Sequence, residues 1–163
     1  IAQMLLSSTF NGLKVENSVA NIKWPGRLEL IKNKNMYYDV AHNHEGIREM
    51  VKAVSINEHN KKFVGLFAIK SDKNIDEICD LIKNNFEIII LCHDVSGYLL
   101  KSTVLEKTFN SHNINCKGVS SVKKGIEILE GYGDNYIKLI FGSHYIAEEV
   151  YGAVGKHFDT TNN

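Results

Sequence analysis

The sequence lacks the features that mark nucleic-acid-binding, secreted or membrane-spanning proteins. Its 19 basic and 19 acidic side chains balance, so no excess of positive charge is available to attract a polyanion. No apolar stretch approaches the roughly 20 residues that cross a bilayer, and no basic segment precedes the apolar start as in a secretion signal. We therefore expect a cytoplasmic protein without a membrane or nucleic-acid partner.

Cysteine, proline and phosphate-binding motifs are equally scarce. Cys79, Cys92 and Cys116 show no C-x-x-C spacing, and two of them lie in or beside apolar runs, where a thiol behaves as a small apolar group. The motif G-x-x-x-x-G-K-[ST] is absent, so the chain has no loop of its own to cradle a triphosphate. The only proline, Pro25, precedes Gly26 and predicts a turn.

What is present is an alternation of short apolar blocks with segments of helical periodicity. The blocks predict strands at 28–31, 36–40, 63–69, 86–92, 114–119 and 137–141, and the periodic segments predict helices at 45–54, 75–84, 98–110, 122–130 and 145–157. Such alternation is typical of βα units around a parallel sheet. The predicted fold is therefore a Rossmann-like, three-layer α/β/α domain with a mostly parallel sheet of about six strands.

Short polar residues indicate where these elements begin and end. Asp72 or Asn74 is placed to cap the second helix, and Ser120 or Ser121 the fourth. The run 33–35, Asn-Lys-Asn, predicts a hairpin turn and hence an antiparallel edge. Residues 1–22 contain two apolar helix-like stretches without a strand, and residue 1 is not methionine, so we interpret them as the end of a preceding domain and a linker. Residues 159–163 form a polar tail.

Polar residues that follow strands are the first candidates for a binding site, because open α/β sheets bind ligands at the carboxyl ends of their strands. Asp39, the Ser71-Asp72-Lys73 run and the Gly142-Ser143-His144 run satisfy this criterion. A carboxylate such as Asp39 can accept ribose hydroxyls, while Arg27 can pair with phosphate oxygens. The alternative is that Asp39 caps the following helix and Arg27 forms a surface ion pair.

Two further patterns have ordinary structural explanations. His42 and His44 are metal-ligand types, but no third strong ligand stands at a characteristic distance, so we predict no metal site in this domain. Gly142-Ser143 before a helix can present amides to an anion, yet a turn with an N-cap explains it equally well.

Several of these residues together carry a family resemblance. Trp24-Pro25-Gly26-Arg27-Leu28-Glu29 is followed by Asp39-Val40-Ala41-His42-Asn43, then by Asp72-Lys73 and by Phe141-Gly142-Ser143 with Tyr145. In this order and spacing they resemble the C-terminal domain of the folylpolyglutamate synthase/dihydrofolate synthase enzymes of the Mur ligase group. The resemblance spans residues 1–158, with 1–22 matching the last helix of the central ATPase domain and a linker, and 23–158 the C-terminal domain.

The resemblance implies an enzyme that uses ATP and Mg²⁺ to phosphorylate a carboxylate of a folate, which the amine of L-glutamate then attacks. A P-loop ATPase domain in the same chain would hold most of the metal and supply the catalytic residues, so this segment alone is expected to be inactive and monomeric. By position, Arg27, Asp39, Asn43 and Lys73 would bind nucleotide, and His42 and Ser143 the glutamate.

The match has two departures, and other functions stay open. The family usually has glycine at the position of Val40 and proline at that of His44, so the local positioning of His42 is expected to differ. The alternatives are the C-terminal domain of another Mur-type amino-acid ligase, a stand-alone nucleotide-binding module without catalysis, and an interaction domain that docks through residues 1–10.

Overall fold

The centre of the protein is one six-stranded sheet. The computed structural model describes residues 25–31, 34–56 and 61–156, and within them the strands are β1 Glu29–Ile31, β2 Met36–Asp39, β3 Lys62–Phe67, β4 Phe86–Leu91, β5 Cys116–Gly118 and β6 Tyr136–Phe141. Their order across the sheet is β1-β2-β6-β3-β4-β5. β1 is antiparallel to β2, and the other neighbouring pairs are parallel. The predicted sheet and its antiparallel edge are confirmed.

Helices cover both faces of the sheet. The described residues contain α1 His44–Ser55, α2 Ile75–Asn85, α3 Ser102–Ser111, α4 Val122–Glu130 and α5 Ala147–Ala153, with a 3₁₀ turn at His144–Ile146. Ile47, Ile78 and Phe109 from α1, α2 and α3 belong to the core on one face. Ile126 of α4 and Val150 of α5 belong to the core on the other. This arrangement confirms the three-layer α/β/α prediction.

The apolar run of β4 shows how the sequence pattern produces burial on both faces. Successive side chains of a strand point to opposite faces, and Ile89 lies in the core with α1, α2 and α3 while Ile90 lies in the core with α4 and α5. A strand covered on both faces needs apolar residues without alternation. The continuous run therefore corresponds to a central strand.

The predicted start of the third helix at residue 98 is wrong. α3 begins at Ser102, because the carboxylate of Asp94 accepts the backbone N–H of Tyr98 at 3.0 Å and that of Leu99 at 2.8 Å. These bonds close a turn whose amides cannot enter a helix. The apolar residues 98–100 therefore belong to the loop after β4.

The other helix ends follow their capping chemistry. Ser121 accepts the N–H of Lys124 at the start of α4, as predicted. Asn74 occupies the N-cap position of α2, but its side chain donates to Glu77 at 2.8 Å instead of accepting an amide. The predicted helix 145–157 is shorter: α5 ends at Ala153, where Gly155 has φ +72° and the N–H of Lys156 donates to the carbonyl of Tyr151. This is a glycine-terminated C-cap.

The hairpin and the thiols also follow the predictions. Asn35, in the turn between β1 and β2, has φ +50°, as hairpin turns favour; residue 33 lies outside the described residues. Cys79 and Cys92 are buried in the two cores, and burial raises the pKa of the Cys79 thiol to about 11.

Three earlier expectations concern the ends of the chain or the bilayer. The segments 1–22 and 159–163 lie outside the described residues, so their interpretation stays a prediction. Within the described ranges, no helix has the length and apolar character needed to cross a bilayer.

Candidate functional site

The polar candidates converge at the carboxyl ends of neighbouring strands. Asp39, the last residue of β2, is in register with Phe141, the last residue of β6. Ser143 therefore lies two residues beyond the strand that adjoins Asp39. β3 follows β6 in the sheet, and the turn that contains Lys73 comes after it. Asp39, Ser143 and the turn of Lys73 therefore lie at the same edge of the sheet, beyond the carboxyl ends of parallel strands.

Arg27 lies on a short loop with an unusual backbone. Gly26 has φ +67° and Leu28 φ +44°, a conformation that costs a leucine about 1–2 kcal/mol. The loop is tied to β2 at two points, since Gly26 accepts the N–H of Val40 at 2.9 Å and Leu28 donates its N–H to Asp39 at 2.8 Å. The guanidinium of Arg27 is exposed, so the loop presents a positive charge from a fixed backbone.

Asp39 is buried, and both of its carboxylate oxygens accept backbone hydrogen bonds. Only 6% of the residue is exposed, and one carboxylate oxygen accepts the N–H of Leu28 while the other accepts the N–H of Ala41 at 2.7 Å. The helix cap that we considered for Asp39 belongs instead to Asn43, which accepts the N–H of Gly46 at 2.9 Å. Asp39 therefore fixes the loop that carries Arg27 rather than the start of α1.

Glu29 braces the same loop from the other side. Its carboxylate accepts the N–H of Gly26 at 3.2 Å, the hydroxyl of Tyr151 and the ammonium of Lys156 at 3.1 Å. Burial by itself raises the pKa of Glu29, but the bonds from Tyr151, Lys156 and Gly26 outweigh it, so the pKa is lowered. The loop of Arg27 is thus connected through Glu29 to the end of α5.

This brace predicts part of the acid sensitivity of the protein. A carboxyl group whose pKa is lowered on folding stabilises the folded state above its unfolded pKa, and this stability is lost as the pH falls through the folded value. We expect Glu29→Gln to reduce the loss of stability below the ordinary pKa of 4.5, measured by urea unfolding at about pH 5 and 3. Glu148→Gln, at an exposed position of α5, is the control. An unchanged acid slope in Glu29→Gln would contradict the brace.

The start of α1 orders His42 and His44. Nδ1 of His42 lies 3.0 Å from the carbonyl oxygen of Val40. Because a carbonyl only accepts, Nδ1 is the donor of this bond, and Nε2 is the ring nitrogen left for another partner. His44 is the first residue of α1, directly after its cap Asn43. Among the described residues, no group of three or more His, Cys, Asp or Glu side chains could hold a metal ion.

Ser143 has a structural role beside its predicted one. Its side chain accepts the N–H of Tyr145 at 3.1 Å and begins the 3₁₀ turn, which confirms the N-cap interpretation. Its carbonyl accepts the hydroxyl of Tyr38 at 3.2 Å, and Tyr38 meets Tyr151 edge to face at a centroid distance of 5.8 Å. Burial raises the pKa of Tyr38, so the hydroxyl stays a donor.

Lys73 lies in the loop between β3 and α2. Its ammonium is 3.6 Å from the carboxylate of Asp72, and its N–H donates to the carbonyl of Lys70. The strand order places β6 between β2 and β3, which corresponds to roughly 10 Å at the usual strand spacing. Lys73 is therefore at the same edge of the sheet but not beside Asp39.

Two features of this edge were missed by sequence reasoning. Glu29 was seen only as part of a motif, and its partners Tyr151 and Lys156 are more than 120 residues away, so no local pattern signals them. Asp94 did have a signal, since it follows the apolar run of β4 by three residues. It is buried, and hydrogen bonds from Ser96, Leu99 and Tyr98 lower its pKa against the opposing effect of burial.

The departure at Val40 has a structural explanation. A side chain built on Gly26 would place its Cβ 2.8 Å from Cγ1 of Val40, so the valine covers the glycine. Val40 is half-buried and packs against the core formed with α4 and α5. The β-branched side chain therefore fills the space above the loop and leaves no room for a larger residue at 26.

The fold and this edge define a parallel α/β domain of the type that binds ligands beyond the carboxyl ends of its strands. No protein-family model matches the chain. Among curated proteins it is similar to the dihydrofolate synthase/folylpolyglutamate synthase of Bacillus subtilis, with 27% identity over 83% of this chain and 32% of that protein. It is also similar to a probable dihydrofolate synthetase of Schizosaccharomyces pombe, with 25% identity over 90% of this chain and 39% of that protein.

Solved structures show the same fold. Folylpolyglutamate synthase of Mycobacterium tuberculosis, complexed with ADP and AMPPCP, matches with a TM-score of 0.78 at 19% identity, over 91% of this chain and 36% of that one. FolC of E. coli in complex with DHPP and ADP matches with a TM-score of 0.77 at 17% identity, over 93% and 36%. The resemblance predicted from the motifs is confirmed, and the chain spans about a third of the length of these relatives.

Proposed function

We propose that this chain is the C-terminal domain of an ATP-dependent folate polyglutamate ligase and that it contacts the nucleotide and the incoming glutamate. The observation that carries the proposal is the loop of Arg27, a rigid segment tied to Asp39 and Glu29 at the edge that also holds His42 and Ser143. Relatives named as folylpolyglutamate synthases, several of them solved with adenine nucleotides, support it.

The proposed reaction has two balanced steps. A carboxylate oxygen of the folate attacks the γ-phosphorus of ATP, and the bond to the β-γ bridging oxygen breaks to release ADP. The amine of glutamate then attacks the acyl carbon, loses a proton, and expels inorganic phosphate as the amide forms. In phosphoryl and acyl transfer of this kind, an enzyme lowers the barrier largely by holding the reacting groups in position.

Arg27 and Asp39 would act on the nucleotide in different ways. The exposed guanidinium of Arg27 would pair with phosphate oxygens, the interaction for which a planar fork of donors is suited. Each oxygen of Asp39 already accepts one backbone N–H, but a carboxylate oxygen has a second lone pair that can accept a ribose hydroxyl. Asn43 and Lys73 would contribute nearby polar contacts.

His42 and Ser143 would hold the glutamate. With Nδ1 of His42 bonded to the carbonyl of Val40, Nε2 is left to accept a hydrogen bond from the amine of the incoming amino acid. The hydroxyl of Ser143 accepts the N–H of Tyr145 and keeps its own proton to donate to a carboxylate. In the proposed enzyme, Mg²⁺ would be held mainly by a P-loop domain of the same protein.

The test is the ATP dependence of an Arg27→Ala variant. Loss of one charged hydrogen-bonded contact costs about 1.5–3 kcal/mol, so we expect the KM for ATP to rise about tenfold or more in the protein that contains this chain with its P-loop region. ADP release with folate and glutamate present is the readout. Arg48→Ala is the matched control, because Arg48 is an exposed arginine on α1 paired with Glu45. Unchanged ATP kinetics in Arg27→Ala would contradict the nucleotide assignment.

Calorimetric titration distinguishes a ligase domain from a stand-alone module. We expect weak binding of ATP and of L-glutamate by this chain alone and stronger binding once a P-loop domain from the same gene is added, because each domain would supply half of the site. Tight binding of a different metabolite by this chain alone would mean that the fold is shared and the function is not.

A further inference from the structure

Two buried tyrosines connect the loop of Arg27 and the backbone of Ser143 to the core of the protein. Tyr38, in β2, is fully buried, and Tyr151, in α5, is 5% exposed. Both belong to the core on the face of α4 and α5, where their rings meet edge to face. A buried hydroxyl costs free energy unless it is hydrogen-bonded. The partners of these two hydroxyls therefore indicate why tyrosine rather than phenylalanine occupies the two positions.

The hydroxyl of Tyr38 holds the backbone that follows β6. It donates to the carbonyl of Ser143 at 3.2 Å. Tyr38 is in register with Ile140 of β6, so this bond crosses from β2 to the turn after the neighbouring strand. The ring of Tyr38 also adjoins the loop of Arg27, since a Cβ built on Gly26 would lie 3.5 Å from Cε1 of the ring. One buried side chain therefore lies against both sides of the candidate site.

The hydroxyl of Tyr151 orients the carboxylate that braces the loop of Arg27. It donates to Oε2 of Glu29, the same oxygen that accepts the N–H of Gly26 at 3.2 Å. Lys156 holds the other oxygen at 3.1 Å. Burial and the bond to Glu29 raise the pKa of Tyr151, so its hydroxyl keeps the proton that it donates. The oxygen that receives Gly26 is thus fixed by Tyr151.

The two hydroxyl bonds hold different sides of the candidate site. Tyr151 acts, through Glu29, on the loop that carries Arg27. Tyr38 acts on the backbone of Ser143. Because both rings are buried, neither is placed to touch a ligand, and any effect on binding passes through the groups that they hold. Displacement of a binding group by about 1 Å is enough to weaken catalysis strongly, so bonds at this distance from a ligand can still control the site.

We propose that Tyr38 and Tyr151 are positioning residues, each of which places one side of the site. The hydroxyl of Tyr151 places the loop of Arg27 by way of Glu29. The hydroxyl of Tyr38 places the backbone of Ser143. That the first side binds nucleotide and the second binds glutamate rests on the proposed function. The positioning itself is a property of the folded chain, so it is measurable without a ligand.

Amide NMR spectra of the 163-residue chain test the positioning directly. Phenylalanine keeps each ring and its packing, so only the bond of the hydroxyl is lost and both variants should fold. We expect Tyr151→Phe to shift the amide signals of Gly26 and Arg27 and to speed hydrogen exchange at Gly26 about threefold or more. Tyr38→Phe should instead shift the amide signal of His144, whose peptide unit contains the carbonyl that Tyr38 holds.

Steady-state kinetics test the consequence for the site, in the protein that contains this chain with its P-loop region. Tyr151→Phe should raise the KM for ATP about threefold or more, with kcat and the KM for glutamate within about twofold of the unaltered protein. Tyr38→Phe should raise the KM for glutamate and leave that for ATP within the same limit. A residue that only supported folding would not separate the two substrates in this way.

A second tyrosine pair supplies the matched control. Tyr136 also donates its hydroxyl to a carboxylate, that of Glu87, at 3.4 Å. Its ring meets Tyr132 edge to face, with centroids 5.1 Å apart. Tyr136 begins β6 and so lies at the opposite edge of the sheet. Tyr136→Phe should therefore leave the amide signals of residues 26, 27 and 144 and both KM values unchanged.

Two results would overturn the positioning roles: unchanged amide signals in the two phenylalanine variants, or an equal rise of both KM values in either of them, which would indicate a general loss of structure. A raised KM for ATP in Arg27→Ala with unaltered kinetics in Tyr151→Phe would remove the role of Tyr151 and keep the nucleotide site. Shifted amides at Gly26 in Tyr151→Phe, with unchanged ATP kinetics in Arg27→Ala, would remove the proposed nucleotide role and keep the positioning.

Discussion

Gly142→Ala is expected to destabilise the protein by about 4 kcal/mol, a loss large enough to unfold many domains of this size. Gly142 has φ +104°, and a Cβ there would lie 2.3 Å from the carbonyl oxygen of Ala68 and 2.7 Å from the ring of Phe67. The backbone strain costs about 1–3 kcal/mol, and overpacking against a buried ring and a backbone oxygen adds about 1–3 kcal/mol. Urea unfolding followed by circular dichroism measures the change.

Two other glycines separate the contributions to this loss. Gly97 also has a positive φ, +80°, but no atom lies within 4 Å of its built Cβ, so Gly97→Ala should cost only the strain of about 1–2 kcal/mol. Gly152 lies in α5 with open space around it, and Gly152→Ala should be neutral or stabilising by up to about 1 kcal/mol. If Gly142→Ala costs no more stability than Gly97→Ala, the close contact of residue 142 with Phe67 and Ala68 is contradicted.

Asp39→Asn is expected to cost about 3 kcal/mol of stability, because Asp39 holds two backbone N–H groups at once. An asparagine keeps one oxygen and places an NH₂ group where the other oxygen accepts, so either Leu28 or Ala41 loses its partner. Hydrogen bonds to a charged group contribute about 1.5–3 kcal/mol, and an unsatisfied buried donor costs a similar amount. The free energy of unfolding is again the readout.

The control for Asp39 is an exposed carboxylate at the same edge. Asp72→Asn should change stability by less than about 1 kcal/mol, since its ion pair with Lys73 lies at the surface and such pairs contribute little. Arg27→Ala should likewise leave stability unchanged while it alters ATP dependence. Equal stability of Asp39→Asn and Asp72→Asn would show that Asp39 does not hold the loop, and its predicted role would then rest on ligand contact alone.

The elements that sequence reasoning located well are those with a strong periodic or apolar signal. β4 and α4 match their predicted positions closely, because burial on both faces leaves an unbroken apolar run and Ser121 supplies a cap. The start of α3 was placed four residues too early. There the apolar residues imitate a helix turn, and the competing hydrogen bonds come from Asp94, whose preference for a loop is not visible in periodicity.

In the candidate site, too, some features could be predicted from the sequence and others could not. The type and location of Arg27, Asp39 and Ser143 followed from their positions after strands and from the family motifs. The hydrogen bonds by which Asp39 and Glu29 hold the loop of Arg27 could not be predicted from the sequence, since their partners come from other elements. Val40 illustrates the limit: its departure from the family pattern is visible in the sequence, but its fit over Gly26 requires coordinates.

By itself the sequence determined the fold class, the order of strands and helices along the chain, and the residues placed at the carboxyl ends of strands, because periodicity, turn chemistry and motif spacing are local properties. Only the tertiary structure decided which strands adjoin, that Asp39 and Glu29 immobilise the loop of Arg27, and that Tyr38 meets Tyr151. Those facts depend on contacts between residues as far apart as Glu29 and Lys156, which meet only because packing of the two cores brings distant segments of the chain together.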